Sequence, residues 1–192
     1  MVLNSFYMAD ERENNEKQLL ESAIRGEASA FGLLYDKYQP NIFRFIFLKV
    51  SRREEAEDLT HQVFLNAWQN IEAFEDQGLP LSSWLYKIAR NKVIDYYRTK
   101  KSIASIENVP EDYFETSQDG GMEQIGNKIE TEGIYKALKK LSAEYQEIII
   151  MRFVEELSPR EISKITGKKS GAIRVLQFRA LRRLKKILEE NE

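Results

Sequence analysis

An all-α protein, with two helical domains joined by an acidic linker, is what these 192 residues predict. Three observations carry that expectation. Apolar residues recur at helical spacing in one stretch after another. Hydrophobic residues make up 42% of the chain and charged residues 31%, enough apolar matter for compact cores and too much for a disordered chain. Charge is also segregated. Lys87 to Lys101 holds six Lys/Arg against one acid, Asp95, and Ser158 to Leu188 holds ten against one, Glu161. Between them, Ser102 to Gly133 holds eight acids and one base, Lys128. The net charge of −2 averages this pattern away. The domains are therefore expected at 11–101 and 129–190, with the linker at 102–128.

Composition also excludes. The chain has no cysteine, which removes disulfides, thiolate metal sites and cysteine nucleophiles together and fits a reducing cytoplasm. The single histidine, His61, has no second histidine to make a ligand set, so neither a metal nor another cofactor is expected. No apolar run approaches the roughly 18 residues that span a bilayer, so no membrane insertion is expected. The opening MVLNSFYMADERENNEK is acidic and lacks the apolar region of a signal peptide. With no phosphate-binding glycine loop and no paired carboxylates, an enzyme is a poor fit.

Residues 11–25 predict a first helix, with Leu19, Leu20, Ala23 and Ile24 apolar and Gly26 as its stop. A second runs from about Glu27 to Val50 on Phe31, Leu34, Tyr35, Tyr38, Ile42, Phe43, Ile46 and Phe47. Pro40 within it predicts a kink or a break, because proline removes a backbone donor and crowds the preceding turn. Ser51-Arg52-Arg53-Glu54 has capping-box spacing and predicts the start of a third helix, continuing to about Phe74. Its inner stripe is Ala56, Leu59, Val63, Ala67 and Ile71, with Phe64 and Trp68 beside it. Asp58, His61, Gln62 and Leu65 lie toward the other side. Glu75 to Leu81 contains Gly78 and Pro80 and reads as a loop, after which Ser82 or Ser83 caps a fourth helix.

That fourth helix, WLYKIARNKVIDYYRTKK, is the most informative stretch. Leu81, Trp84, Leu85, Ile88, Ala89, Val93, Tyr96 and Tyr97 fall on one broad face. At about 100° per residue, Lys87, Arg90, Arg98 and Lys101 line a single narrow stripe, with Asn91 beside it and Ile94 inside it. An apolar back and a basic front suit a surface laid against a polyanion, although a solvated basic face has the same pattern.

The linker carries Pro110 and Asp119-Gly120-Gly121 and shows no sustained apolar period before Ile125. So long an unstructured stretch argues for a domain boundary. The second domain opens near Ile129, with Ile134, Ala137, Leu138 and Leu141 at helical spacing. Ser142 caps the next helix, AEYQEIIIMRF. Ser158, Pro159 and Glu161 then supply an N-cap, a first-position proline and a capping-box acid for a short helix that Gly167 closes. A last helix starts at Ser170 and runs to about Leu188. Short helix, glycine turn and longer basic helix make a helix-turn-helix. In the last helix Ile173, Leu176, Ala180, Leu181, Leu184, Ile187 and Leu188 face one side, and Arg174, Arg179, Arg182, Arg183, Lys185 and Lys186 the other. Val175 and Phe178 point with the arginines. Two readings are open for them: contact with thymine methyls or sugar edges in a major groove, or packing on a neighbouring helix.

The order AEDLTHQVFLNAW, loop, WLYKIARNKVIDYYR, acidic linker, LSAEYQEIIIMRFVEELSPREISKITGKKSGAIRVLQFRALRRL resembles the extracytoplasmic-function (ECF) sigma factors of bacterial RNA polymerase. The likeness covers about residues 20–101 (region 2) and 134–187 (region 4). It implies a factor that directs core RNA polymerase to promoter DNA and is itself held by an anti-sigma factor. On this resemblance Asp58, His61, Gln62 and Leu65 face the polymerase, with Phe64 supporting; the family often has Gln-Glu where this chain has His61-Gln62. The loop 75–81 captures a flipped base of the minus-10 element, and Lys87, Arg90, Asn91, Arg98 and Lys101 hold that strand's phosphates. Trp84 and Tyr86 are candidates for base stacking, Trp84 equally for plain core. In region 4, Arg174, Val175, Phe178 and Arg179 read the minus-35 element while Lys168, Lys169 and Ser170 meet phosphate at the helix N-terminus. Val175 and Leu176 are apolar where the family frequently has polar or basic residues, so the upstream sequence read can differ. The alternative is a helix-turn-helix regulator that acts without polymerase.

Overall fold

The computed structural model describes residues 15–74, 80–107 and 128–190, and among them eight α-helices and no strand. Helix α1 covers 15–24 and stops at Gly26, whose φ of +89° is a left-handed conformation that glycine adopts without a Cβ penalty. Residues 11–14 of the predicted first helix lie outside the described residues.

Helix α2, Ala28–Val50, runs unbroken through Pro40, so the expected break does not occur. An interior proline costs about 3 kcal/mol. Here Leu34 on one side and Ile42, Phe45 and Ile46 on the other all enter one core, and that burial outweighs the lost hydrogen bond.

Ser51 ends α2 rather than starting the next helix. Its φ is 62° and its amide donates to the Phe47 carbonyl at 2.8 Å. A residue held in the left-handed region cannot also take the extended conformation of an N-cap, so the capping-box spacing at Ser51 misleads. Helix α3, Arg53–Gln69, has Arg52 at its N-cap with no side-chain cap bond. A 3₁₀ turn at Ile71–Ala73 replaces its expected last turn.

Helix α4 covers Leu81–Glu107. It starts before Ser82 and Ser83, which lie inside its first turn and do not cap it. It also continues through 102–107, into the stretch read as linker. Residues 75–79 of the predicted base-capturing loop, and 108–127 of the linker, lie outside the described residues.

The second bundle comprises α5 (Lys128–Lys139), α6 (Ala143–Ile149), α7 (Pro159–Thr166) and α8 (Ser170–Glu189). Ser142 caps α6 as expected, its Oγ accepting from the Tyr145 amide at 3.4 Å. The helix after it changes pitch: Ile150–Val154 is a π-turn continuing α6. The capping box of α7 is complete. The Glu161 amide donates to Ser158 Oγ at 3.2 Å, and the Ser158 amide donates to Glu161 Oε2 at 2.8 Å. Gly167 closes α7 at φ +74°. Ser158→Ala is expected to lower the unfolding free energy by about 1 kcal/mol, read from chemical denaturation, because it orphans a helix-terminal amide.

Helices α2, α3 and α4 pack pairwise around Leu34, Ile42, Phe45, Ile46, Val63 and Leu85. A smaller core of Ala137, Leu138, Leu141, Ile149, Ala180 and Ile187 ties α5, α6 and α8. The two bundles are joined. Ile148, Ile150, Met151, Leu157, Ile162, Ile165 and Ile173 belong to the first bundle's core, and α7 lies against α4. This explains why every residue from Phe45 to Val50 is buried: both bundles cover that end of α2.

Candidate polymerase and nucleic-acid interfaces

Three exposed faces carry the residues singled out from the sequence. On α3, Asp58, His61, Gln62 and Leu65 all reach the surface, and Leu65 is 57% exposed despite its apolar side chain. The spacing of three, one and three residues sets them on one face. Phe64 is buried behind them, edge-on to Tyr35 with ring centroids 4.7 Å apart, so it fixes the helix and does not offer a contact.

On α8, Arg174, Val175, Phe178 and Arg179 are exposed, Phe178 by 67%. The packing alternative for Val175 and Phe178 therefore does not hold: among the described residues, no helix covers them. Lys169, the N-cap, has no side-chain cap bond, which leaves first-turn amides of α8 open to an anion. Ser170 is half-buried beside it. Lys168 pairs with Glu144 of α6 at 2.8 Å.

The α4 face divides. Lys87, Asn91 and Lys101 are exposed, and Arg98 keeps 79% of its side chain in water while pairing with Asp95 at 3.0 Å. Ile94 is exposed among them.

Residues 34–103, which take in most of α2, all of α3 and most of α4, match the Sigma-70 region 2 family model, and residues 131–184, most of the second bundle, match Sigma-70 region 4. The ECF RNA polymerase sigma factor BldN of Streptomyces coelicolor is 35% identical over 187 residues, covering 95% of this chain and 69% of BldN. The chain belongs to the ECF family of RNA polymerase sigma factors.

A second member, SigW of Bacillus subtilis, is 28% identical over 91% of this sigma factor and 97% of SigW. The fold is shared with RpoE of Bartonella quintana, solved with the anti-sigma factor NepR (TM-score 0.68, 24% identity, 84% of this chain, 98% of that one). It is likewise shared with CnrH, solved with the cytosolic domain of CnrY (TM-score 0.69, 20% identity, 93% and 99%). Sigma factors are DNA-binding initiation factors. Among the described residues, no helix is long and apolar enough to cross a membrane.

Three of the expected minus-10 residues of this sigma factor stand apart from the open surface. Trp84 is half-buried, its ring edge-on to Phe74 at 5.5 Å, which matches the core alternative. Tyr86 is only 2% exposed and cannot stack on a base in this arrangement. Its face of α4 turns toward the second bundle, where its hydroxyl donates to Glu155 Oε2 at 2.6 Å. Burial, then the Glu155 charge, push the phenol far above its ordinary pKa, so it stays a neutral donor. Arg90 is half-buried, its Nε 3.1 Å from Glu147 Oε1 without an aligned hydrogen bond.

Arg44, Glu147 and Glu155 were not singled out in the sequence. Arg44 Nε and Nη2 each lie 2.8 Å from a different Glu155 oxygen, a bidentate pair. The Glu155 side chain is fully buried. Lys49 is buried too, donating to the Ala143 carbonyl at 3.2 Å, and burial pulls its pKa down. Nothing in the VEEL run distinguishes a buried Glu155 from the exposed Glu156 next to it.

Proposed function

We propose that this ECF sigma factor acts as a dissociable initiation factor, with each exposed face given to one partner. The α3 face of Asp58, His61, Gln62 and Leu65, backed by Phe64, holds core RNA polymerase. The α4 stripe of Lys87, Arg90, Asn91, Arg98 and Lys101, with Trp84 and Tyr86 at its entry, takes the minus-10 strand. The α8 face of Arg174, Val175, Phe178 and Arg179, with Lys168, Lys169 and Ser170 at the helix start, reads the minus-35 duplex. The acidic linker threads the polymerase between them and occupies the RNA path until transcript displaces it. Such a factor works in the cytoplasm. An anti-sigma factor is its further partner, as NepR is for the RpoE neighbour.

The single observation that carries this reading is the apolar side chains left in water on two helix faces of one sigma factor, Leu65 among polar residues on α3 and Val175 with Phe178 among arginines on α8. Such side chains contribute little to the fold and are the kind of group that the core of an interface buries. Family membership disfavours a regulator that ignores polymerase.

Two arginine and lysine substitutions separate reading from holding. In promoter binding by the holoenzyme, Arg179→Ala is expected to cost about 1–3 kcal/mol and to relax sequence choice in the upstream element. Lys101→Ala should weaken binding uniformly across sequences and reduce the salt slope by about one unit. Equal sequence preference in Arg179→Ala and the parent would refute the assignment of α8.

A further inference from the structure

We propose that the cleft where the two bundles meet is a binding site for a free nucleoside diphosphate or triphosphate, with the ring laid on Tyr97 and the phosphates held by Lys49, Arg52 and Lys139. The proposal goes beyond promoter and polymerase binding and depends on neither.

The cleft has a volume of about 760 Å³. That lies within the roughly 300–1,000 Å³ of small-molecule sites. Five cations line it against two acids, an excess of three. Both acids already face a cation: Glu144 pairs with Lys168 at 2.8 Å, and Glu147 lies 3.1 Å from Arg90. The other three cations have weaker partners. Lys49 Nζ donates to the Ala143 carbonyl at 3.2 Å, Arg52 meets Glu55 at 3.6 Å, and Lys139 sits 4.8 Å from the centroid of the Tyr135 ring. Three such charges around one cavity suit a ligand with two or three negative charges held close together. A diphosphate or triphosphate has that form, whereas a single carboxylate would leave most of the positive charge unmatched.

The start of α3 adds to this. Ser51 and Arg52 line the cleft, and no side chain caps the first-turn amides that follow them. Such amides, with the helix dipole behind them, favour a phosphate.

Much of the remaining lining is apolar, from Val50, Val93, Ile94 and Leu141, and Tyr97 is its aromatic member. Tyr97 is 48% exposed, and its hydroxyl donates to the Lys49 carbonyl at 2.6 Å. That bond fixes the orientation of a ring that keeps half its surface in water. Ile94, one helical turn earlier and 45% exposed, widens the apolar floor. A fixed, half-open aromatic ring is a platform on which a base stacks with little regard to which base it is.

The lining comes from both bundles, with Lys49, Arg52 and Tyr97 on one side and Lys139, Leu141 and Lys168 on the other. A nucleotide that touches both sets binds best when the bundles are joined, and its differential affinity then favours that arrangement. The site would couple this sigma factor to a nucleotide pool.

The full chain is titrated in a calorimeter, at fixed ionic strength, with ADP, pyrophosphate, adenosine and a deoxyadenosine dinucleotide, and its unfolding temperature is recorded with each. ADP should bind once per chain and raise the unfolding temperature. Pyrophosphate and adenosine each carry half of the ligand and should bind at least about tenfold more weakly. Tyr97→Ala should weaken ADP about tenfold and pyrophosphate less than about twofold, because it removes only the stacking surface. Lys139→Ala should weaken both by about fivefold. Arg183→Ala, an exposed cation on α8 outside the cleft, should change ADP binding less than about twofold. If Tyr97→Ala fails to fold by circular dichroism, Tyr97→Leu, which keeps apolar bulk without the flat ring, carries the comparison. Absence of ADP binding, or equal binding of ADP and pyrophosphate, would overturn the site. Equal losses in Arg183→Ala and Lys139→Ala would show diffuse attraction to basic surface and overturn it too. Tighter binding of the dinucleotide than of ADP would assign the lining to a nucleic-acid strand and overturn the free-nucleotide reading.

Discussion

Leu65→Asp is expected to weaken binding to core RNA polymerase by about 2 kcal/mol or more, roughly 30-fold, with little change in the unfolding transition. Leu65 leaves 57% of its surface in water in the free protein, so less than half of the residue's area contributes to the fold. An aspartate there meets the polymerase with a charge that must be stripped of water and has no assigned partner. Asp58, His61 and Gln62 surround it on the α3 face and supply the polar rim. The measurement is a titration of labelled core enzyme with parent and variant, beside thermal melts of both. A loss of affinity that tracked a loss of folding would assign Leu65 to the core instead.

Phe45→Ala should have the largest effect on stability, about 3–5 kcal/mol of unfolding free energy. Phe45 is fully buried near the C-terminal end of α2, where both bundles close over the helix, and its ring meets Tyr86 edge-on at 5.5 Å. Removing it opens a cavity at the point where the first bundle's core runs into the second. Denaturant unfolding should show the shift in midpoint, accompanied by easier separation of the bundles. Phe178→Ala supplies the contrast. The ring is two-thirds exposed, so the same substitution there should change stability within about 0.5 kcal/mol. If both phenylalanines gave equal losses, the assignment of one to the core and one to a DNA-facing surface would fail.

The helices were legible because their signals are local. Gly26 and Gly167 stop α1 and α7 in left-handed conformations, and Ser158 with Glu161 starts α7 with both bonds of a capping box. The faces of α3 and α8 followed from periodicity, which needs no knowledge of neighbours as long as one side of the helix meets water. Where two signals competed for one residue, the sequence could mislead. Ser51 carries capping-box spacing yet ends α2, and Pro40 reads as a breaker yet sits within a helix held by its flanks.

The contacts between the bundles were not legible at all. Tyr86 has the polarity of a stacking residue and sits two positions from Trp84, and only the arrival of Glu155, 69 positions along the chain, makes it a buried donor. Arg44 and Glu155 are 111 positions apart. A long-range pair of this kind leaves no mark in local pattern, because each member alone looks like an ordinary surface charge. The same limit applies to α4, which outruns the acidic composition that suggested a linker from 102.

The account stands most directly on transcription itself. Run-off reactions combine core polymerase and a library of genomic promoter fragments, with no sigma factor, with this chain, or with its Leu65→Asp variant. Discrete transcripts from a subset of fragments should appear with the parent chain and be absent from the other two reactions. Identical products with core alone, or a chain that shifts promoter duplex strongly by itself while core enzyme makes no difference, would contradict it.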